Sequence, residues 1–273
     1  SGKRNVWRNN GRARYFEISI GALQRKQSAC KLMKNELSYI VFTDFDGTMT
    51  QTDIGGAMFQ HFGNKELCNE YFQMYRTGKI SARECWQRAC ATVQSLTRTE
   101  LIDFSEQHSF DMTFSAFASY CDGKNIPVVV VSDGFDVYIN HLLAQHNCNA
   151  MPRYANSLIF SDDNTVVPHF PHTDAECSRC ANCKRNHLLT HANDENIIVY
   201  IGNGYSDQCP VRFADIVFAK DSLVSFCEKE NITYHRFGSF RDVLSKFQII
   251  VEQTKPRKRR TAELARQDVF KQG

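Results

Sequence analysis

Apolar residues run together at three places, 39–42, 128–131 and 197–201, and each run leads into a short polar loop. Runs of that length, bounded by turn residues, read as buried strands. Between the first two the pattern changes. Ala57, Met58, Phe59, Phe62, Leu67, Tyr71, Phe72, Met74 and Tyr75 recur at roughly helical spacing, and a second amphipathic stretch, 82–96, follows the break at Gly78. This predicts a small helical cap inserted after the first strand, with its aromatic stripe serving as cap core more than as a substrate wall. Past the second run come a helix over 135–145 and strands over 153–160 and 165–170, which flank the hairpin turn Ser161-Asp162-Asp163-Asn164. Runs at 215–219 and 232–236 supply the last strands. Strands alternating with helices predict an α/β fold with a doubly wound parallel sheet. The expected organisation is a basic extension over 1–38, a core over 39–54 and 108–254, a helical cap over 55–107 and a basic tail over 255–273.

Charge follows the same division. Residues 1–38 hold nine Lys/Arg against two Asp/Glu, and 255–273 hold seven against two, whereas 39–254 hold 17 against 26. The body is therefore acidic between basic ends, which argues against nucleic-acid binding by the fold although the whole chain carries +3. The run Lys255-Pro256-Arg257-Lys258-Arg259-Arg260 fits a polyanion or nuclear-localisation patch, and more commonly a solvated tail. Met33 stands just ahead of the first strand as a candidate start. The chain lacks the roughly 18 consecutive apolar residues of a membrane span and an apolar secretory core. A cytoplasmic protein with no membrane association is the expectation, and its eleven cysteines should stay reduced.

The first apolar run ends in Asp44-Phe45-Asp46-Gly47-Thr48. Two carboxylates two residues apart, just past a buried strand, suit a nucleophile that also holds a metal, paired with a general acid/base. In open α/β folds such strand ends form the ligand site. The second run ends in Ser132-Asp133-Gly134, and Lys184 precedes a predicted helix. The third run enters Gly202-Asn203-Gly204-Tyr205-Ser206-Asp207.

These four segments, in this order over residues 39 to about 250, resemble the haloacid dehalogenase (HAD) superfamily of phosphohydrolases. The resemblance implies that Asp44 forms an aspartyl-phosphate and that Asp46 protonates the leaving oxygen and then activates water. Thr48 would orient Asp46. Ser132, with the backbone N–H groups of Asp133 and Gly134, would bind the phosphoryl oxygens. Lys184 would pair with phosphate and with Asp44. The cofactor implied is Mg²⁺, held by Asp44, the Asp46 carbonyl, Asn203 and Asp207. Asn203 stands where the phosphoserine phosphatases usually carry aspartate, which leaves Asp207 to supply the charge directly or through water.

The inserted cap resembles the phosphoserine-phosphatase-like branch. Within it, the cysteines before Lys184 and the run 202–210 look most like the methionine-salvage phosphatases, which act on 2-hydroxy-3-keto-5-methylthiopentenyl-1-phosphate. The partner implied is a small phosphorylated metabolite. Phosphoserine, phosphoethanolamine or phosphocholine is the alternative substrate. Asp53 fills the place of the acid that holds an amino group in phosphoserine phosphatases. Alignment from Gly78-Lys79-Ile80-Ser81 puts Ala89 where their cap arginine stands, with Arg88 adjacent. A reading of another class is a non-catalytic phosphatase fold that binds partners through its basic ends. Finally, Cys177, Cys180 and Cys183 have zinc-ligand spacing, with His169 and His172 upstream. With one cluster only, and Lys184 abutting it, a reduced loop is favoured over structural Zn²⁺.

Overall fold

In the computed structural model the described residues are 37–253 and 255–272. The expected basic extension and the candidate start at Met33 lie almost wholly outside them. Seven strands form one sheet: β1 (Ser38–Thr43), β2 (Val128–Phe135), β3 (Arg153–Phe160), β4 (Val166–His169), β5 (Asn196–Gly202), β6 (Ile216–Ala219) and β7 (His235–Arg236). Their order is β4-β3-β2-β1-β5-β6-β7. All neighbours are parallel except β3 and β4, the hairpin that the turn at 161–164 predicted.

The central strand explains why its sequence is apolar throughout. Tyr39 and Val41 belong to one hydrophobic cluster with Val128, Val130, Ile197 and Val199. Ile40 and Phe42 belong to a second with Val129, Val131, Ile198 and Tyr200. Side chains alternate across a strand, and helices cover both faces, so each residue of the run is buried. Thr43 pairs with Val130 on one side and Ile201 on the other. The loops after β1, β2 and β5 therefore emerge side by side where the strand order switches direction, the usual ligand crevice of such sheets.

Four helices occupy the stretch between β1 and residue 107: α1 (Ile54–Phe62), α2 (Lys65–Arg76), α3 (Ala82–Cys90) and α4 (Arg98–Glu106). The periodic stretch 57–75 is two helices, not one. Asn64 breaks it by capping α2, its side chain accepting from the Leu67 N–H at 3.0 Å. Ser81 caps α3 in the same way, and the Ala82 N–H donates to the Arg179 carbonyl at 2.8 Å, which ties this helix to the loop before Lys184. Phe59 and Trp86 stack at 5.6 Å and both meet Phe135 of β2. These helices thus share one continuous apolar core with the sheet.

The remaining helices are α5 (Phe114–Gly123), α6 (Asp136–Gln145), α7 (Lys184–His191), α8 (Asp221–Lys229), α9 (Phe240–Gln253) and α10 (Arg260–Gln272). The last corrects the expectation of a solvated tail. Ala262 is fully buried, and Arg266 forms a 3.0 Å ion pair with buried Asp215. The Arg259 N–H donates to the same carboxylate at 3.0 Å, and its guanidinium donates to the Val211 carbonyl at 2.6 Å. Arg259 and Arg266 thus meet a buried acid 44 and 51 positions earlier in the chain, a link that sequence spacing could not show.

Candidate active site

The ends of β1, β2 and β5, with α1, α2 and α3, enclose a cavity of about 720 Å³. Asp44, Asp46, Asp53, Ser132, Asp133, Gly134 and Asn203 line it. Thr48, Lys184 and Asp207 do not line it; each is almost fully buried and bonded to a residue that does, Thr48 and Asp207 to Asn203 and Lys184 to Asp44.

Asp44 follows the last residue of β1, and its N–H donates to the Ile201 carbonyl at 2.9 Å, which prolongs the sheet pairing by one residue. Its carboxylate meets the Lys184 ammonium at 2.7 Å. That ammonium also donates to Asp207 at 2.7 Å and to Ser206 at 3.0 Å. Burial alone would lower the Lys184 pKa, but Asp207 and Asp44 outweigh it and raise the pKa above the ordinary lysine value, so the side chain stays charged. Burial and the Asp207 charge push Asp44 upward against the pull of Lys184.

Asp46 is half-buried and accepts on both oxygens. Oδ1 takes the Ile54 and Gly55 N–H groups at the start of α1, at 3.0 and 3.4 Å. Oδ2 takes the Tyr138 hydroxyl at 2.6 Å and the Ser132 hydroxyl at 3.3 Å. Burial first, then the Asp53 charge, raises Asp46 to about 7, while Tyr138 and the two amides pull it back. Asp53 caps α1 through the Gly56 N–H at 2.7 Å and keeps an exposed edge toward the cavity.

Several expectations change here. Thr48 does not orient Asp46: its hydroxyl donates to Asn203 Oδ1 at 3.2 Å. The Asn203 amide lies against Gly47, whose φ of +69° and missing side chain admit it; any Cβ there would collide with that amide. Asp207 is not a free metal ligand. Its Oδ1 accepts from Tyr200 and Lys184, each at 2.7 Å, and its Oδ2 from the Asn203 and Gly204 N–H groups at 2.9 and 3.0 Å. A fully buried carboxylate with four donors is spoken for, and it serves to hold Lys184 and the loop. The Gly134 N–H donates to Ser132 Oγ at 3.0 Å, so it orients that hydroxyl instead of facing the cavity.

Asp133 turns its carboxylate to the Asn182 N–H at 3.0 Å. Burial moves Asp133 up to about 6, opposed by Lys184 and the Asn182 amide. The Asn182 side chain donates to the Ser132 and Tyr154 carbonyls at 2.7 and 3.0 Å, and its oxygen meets His187 at 2.7 Å. Asn182 thus moors the loop that delivers Lys184. Asn182, His187, Tyr200 and Tyr138 carried no signal in the sequence, since each acts through a partner 5 to 92 positions away.

The cap contributes differently from the alignment. Arg88 pairs with Glu84 at 2.6 Å and Ala89 is buried, whereas Arg76, at the end of α2, lines the cavity. Phe72, Tyr75 and Trp86 line it as well, so part of the aromatic stripe is wall as well as core. In the cysteine loop, Cys177 and Cys180 Sγ are 3.9 Å apart, while Cys183 Sγ points to Asp174. Among the described residues no three or more His, Cys, Asp or Glu are grouped to hold a metal ion.

Known proteins resemble this chain in sequence and in fold. Residues 41–209 match the profile of the haloacid dehalogenase-like hydrolases. A 2-hydroxy-3-keto-5-methylthiopentenyl-1-phosphate phosphatase of Brevibacillus brevis is 26% identical over 78% of this chain and 97% of its own. One from Bacillus thuringiensis is 29% identical over 79% of this chain and 99% of its own. Among solved structures, a phospho-aspartyl intermediate analogue of phosphoserine phosphatase superposes with a TM-score of 0.60 at 18% identity, covering 77% of this chain and 99% of that one. The strand-end residues and these matches lead to one conclusion: the chain belongs to the haloacid dehalogenase-like hydrolase family and is a phosphatase.

Proposed function

We propose that this phosphatase is magnesium-dependent and hydrolyses a small phosphomonoester through an aspartyl-phosphate on Asp44, with a methionine-salvage intermediate as its substrate. The observation that carries the reading is the placement of Asp44 at the cavity floor, bonded to Lys184 at 2.7 Å and beside Asp46. The Asp44 carboxylate attacks phosphorus, and Lys184 offsets the charge that gathers there. Asp46 gives its proton to the leaving oxygen, then takes one from the water that cleaves the acyl phosphate. A carboxyl that changes state near neutral pH suits both tasks.

The site suits a hard cation. Asp44 and Asp207 bond to Lys184, Asp133 lies within reach of its charge, and burial disfavours the charge on Asp44. Oxygen donors are at hand in the Asp44 carboxylate, the Asp46 carbonyl and the Asn203 amide, the set such an ion takes. When bound, Mg²⁺ supplies positive charge that screens the attacking carboxylate from the phosphoryl oxygens.

The wall chemistry supports the substrate class. Phe72 and Trp86 offer apolar surface for a methylthio tail, and Gln60, Asn69 and Arg76 offer polar groups for hydroxyl and keto oxygens. Phosphoserine is a second reading, because Asp53 and Arg76 share the cavity and could hold an amino and a carboxyl group. The test is phosphate release with Mg²⁺ from the enol-phosphate of methionine salvage, phosphoserine and phosphoethanolamine, for the native protein and Asp44→Asn. The native protein should prefer the first, and the variant should be inactive while still folded. Turnover by the variant removes Asp44 as nucleophile; no turnover of any ester by the native protein favours the non-catalytic reading.

A further inference from the structure

We propose that Tyr138 is a positioning residue that selects Asp46 Oδ2 as the oxygen through which this carboxyl exchanges its proton. The proposal rests on the reading of Asp46 as acid and base. The two oxygens of Asp46 have different neighbours. Oδ1 faces only backbone N–H groups, those of Ile54 and Gly55. An amide N–H donates and cannot accept, so a proton on Oδ1 would find no acceptor among these partners. Oδ2 faces two hydroxyls, Tyr138 at 2.6 Å and Ser132 at 3.3 Å. A hydroxyl donates to the carboxylate and accepts from the carboxyl, so Oδ2 keeps its partners in either state.

The fold makes room for this contact. Tyr138 sits in the first turn of α6, where a side chain leans back toward the helix start and hence toward the end of β2. Its ring is fully buried and packs on Phe45, between the two aspartates, at 6.2 Å. A Cβ on Gly134 would collide with the Tyr138 hydroxyl and with Asp46 Oδ2, and one on Gly55 would stand 3.0 Å from that hydroxyl. Two glycines therefore leave the space in which tyrosine and carboxylate meet. A buried tyrosine hydroxyl needs some acceptor; here it takes the Asp46 carboxylate, which the Ile54 and Gly55 N–H groups at the start of α1 also hold.

The experiment is Tyr138→Phe and, beside it, Asp46→Asn, each assayed on phosphomonoesters of graded leaving-group pKa. The quantity read is kcat/KM, which reports the step that expels the leaving group. Tyr138→Phe removes one oxygen and should leave the melting temperature nearly unchanged. Its kcat/KM should fall about 10- to 100-fold on alkyl phosphates, the span of one hydrogen bond to a charged group. On p-nitrophenyl phosphate, whose leaving group needs no proton, the fall should be under about 3-fold. A uniform loss across the series, or none, while Asp46→Asn does discriminate, overturns the role of Tyr138 and leaves Asp46 standing. Failure of Asp46→Asn itself to discriminate removes the acid–base reading and the proposal with it.

Discussion

At the scale of single residues, the site is a set of buried charges that hold one another in place. Lys184 bonds to Asp44 and Asp207, and Asp207 in turn binds the loop after β5 through two N–H groups. Asn203 is the member that departs from the family pattern. Its amide brings an oxygen to the cavity but no charge, and hard cations are held the more tightly the more charged their ligands. Asn203→Asp should therefore lower the Mg²⁺ concentration that gives half-maximal activity, by about 10-fold if the side chain touches the ion. A magnesium titration of the two proteins measures this. An unchanged midpoint places the side chain outside the ion's first coordination sphere. The sequence showed this asparagine plainly, but only the fold revealed that Thr48 and Gly47 hold it.

At the scale of elements, α7 (Lys184–His191) carries the lysine, and its position depends on a polar mooring. His187 is buried, stacks on Tyr154 at 4.2 Å and meets the Asn182 side chain. Burial, then the neighbouring His172, His191 and Lys184, lowers its pKa from 6.5 to about 4. The folded protein thus binds this proton less readily than the unfolded chain does. Stability from His187 is complete above pH 6.5 and is lost as the pH falls from there toward 4. The loss should be on the order of 1–3 kcal/mol. Melting curves at pH 7.5 and 4.5 should show a larger drop for the native protein than for His187→Gln, which does not titrate. Equal drops would mean that this histidine is not the group responsible.

At the scale of the whole molecule, the acidic body and the basic C-terminal segment are joined by a specific contact. Asp215 lies just before β6 and accepts from the Ile198 N–H at 2.9 Å and from Arg259 and Arg266. Removing one partner of a buried ion pair leaves the other uncompensated, at a cost of about 3–5 kcal/mol. For a chain of this size Arg266→Ala should lower the melting temperature by about 5–15 °C. Turnover should stay within about 2-fold, because the site residues run from Asp44 to Asp207 and none lies on α10. A calorimetric scan and an assay on the same preparation check both halves. An unchanged melting temperature would mean that the Arg266–Asp215 pair adds nothing to stability.

The amino-acid sequence by itself determined the sheet, since strands buried on both faces must be apolar throughout, and runs such as 39–42 and 197–201 are visible without any partner. It also determined where the candidate site residues lie, because Asp44 and Asp46 just after β1, Ser132 toward the end of β2 and the 202–207 run at the end of β5 stand at places that topology brings together. What only the tertiary structure decided is which donor meets which acceptor. Thr48 turned to Asn203 instead of Asp46, Asp207 spent both oxygens on positioning, Tyr138 reached Asp46 from α6, and Arg76 instead of Arg88 faced the cavity. Local pattern records whether a side chain is buried, a property of its own element. A hydrogen bond or ion pair between distant residues depends on where two elements come to rest, and that is set by packing across the whole fold.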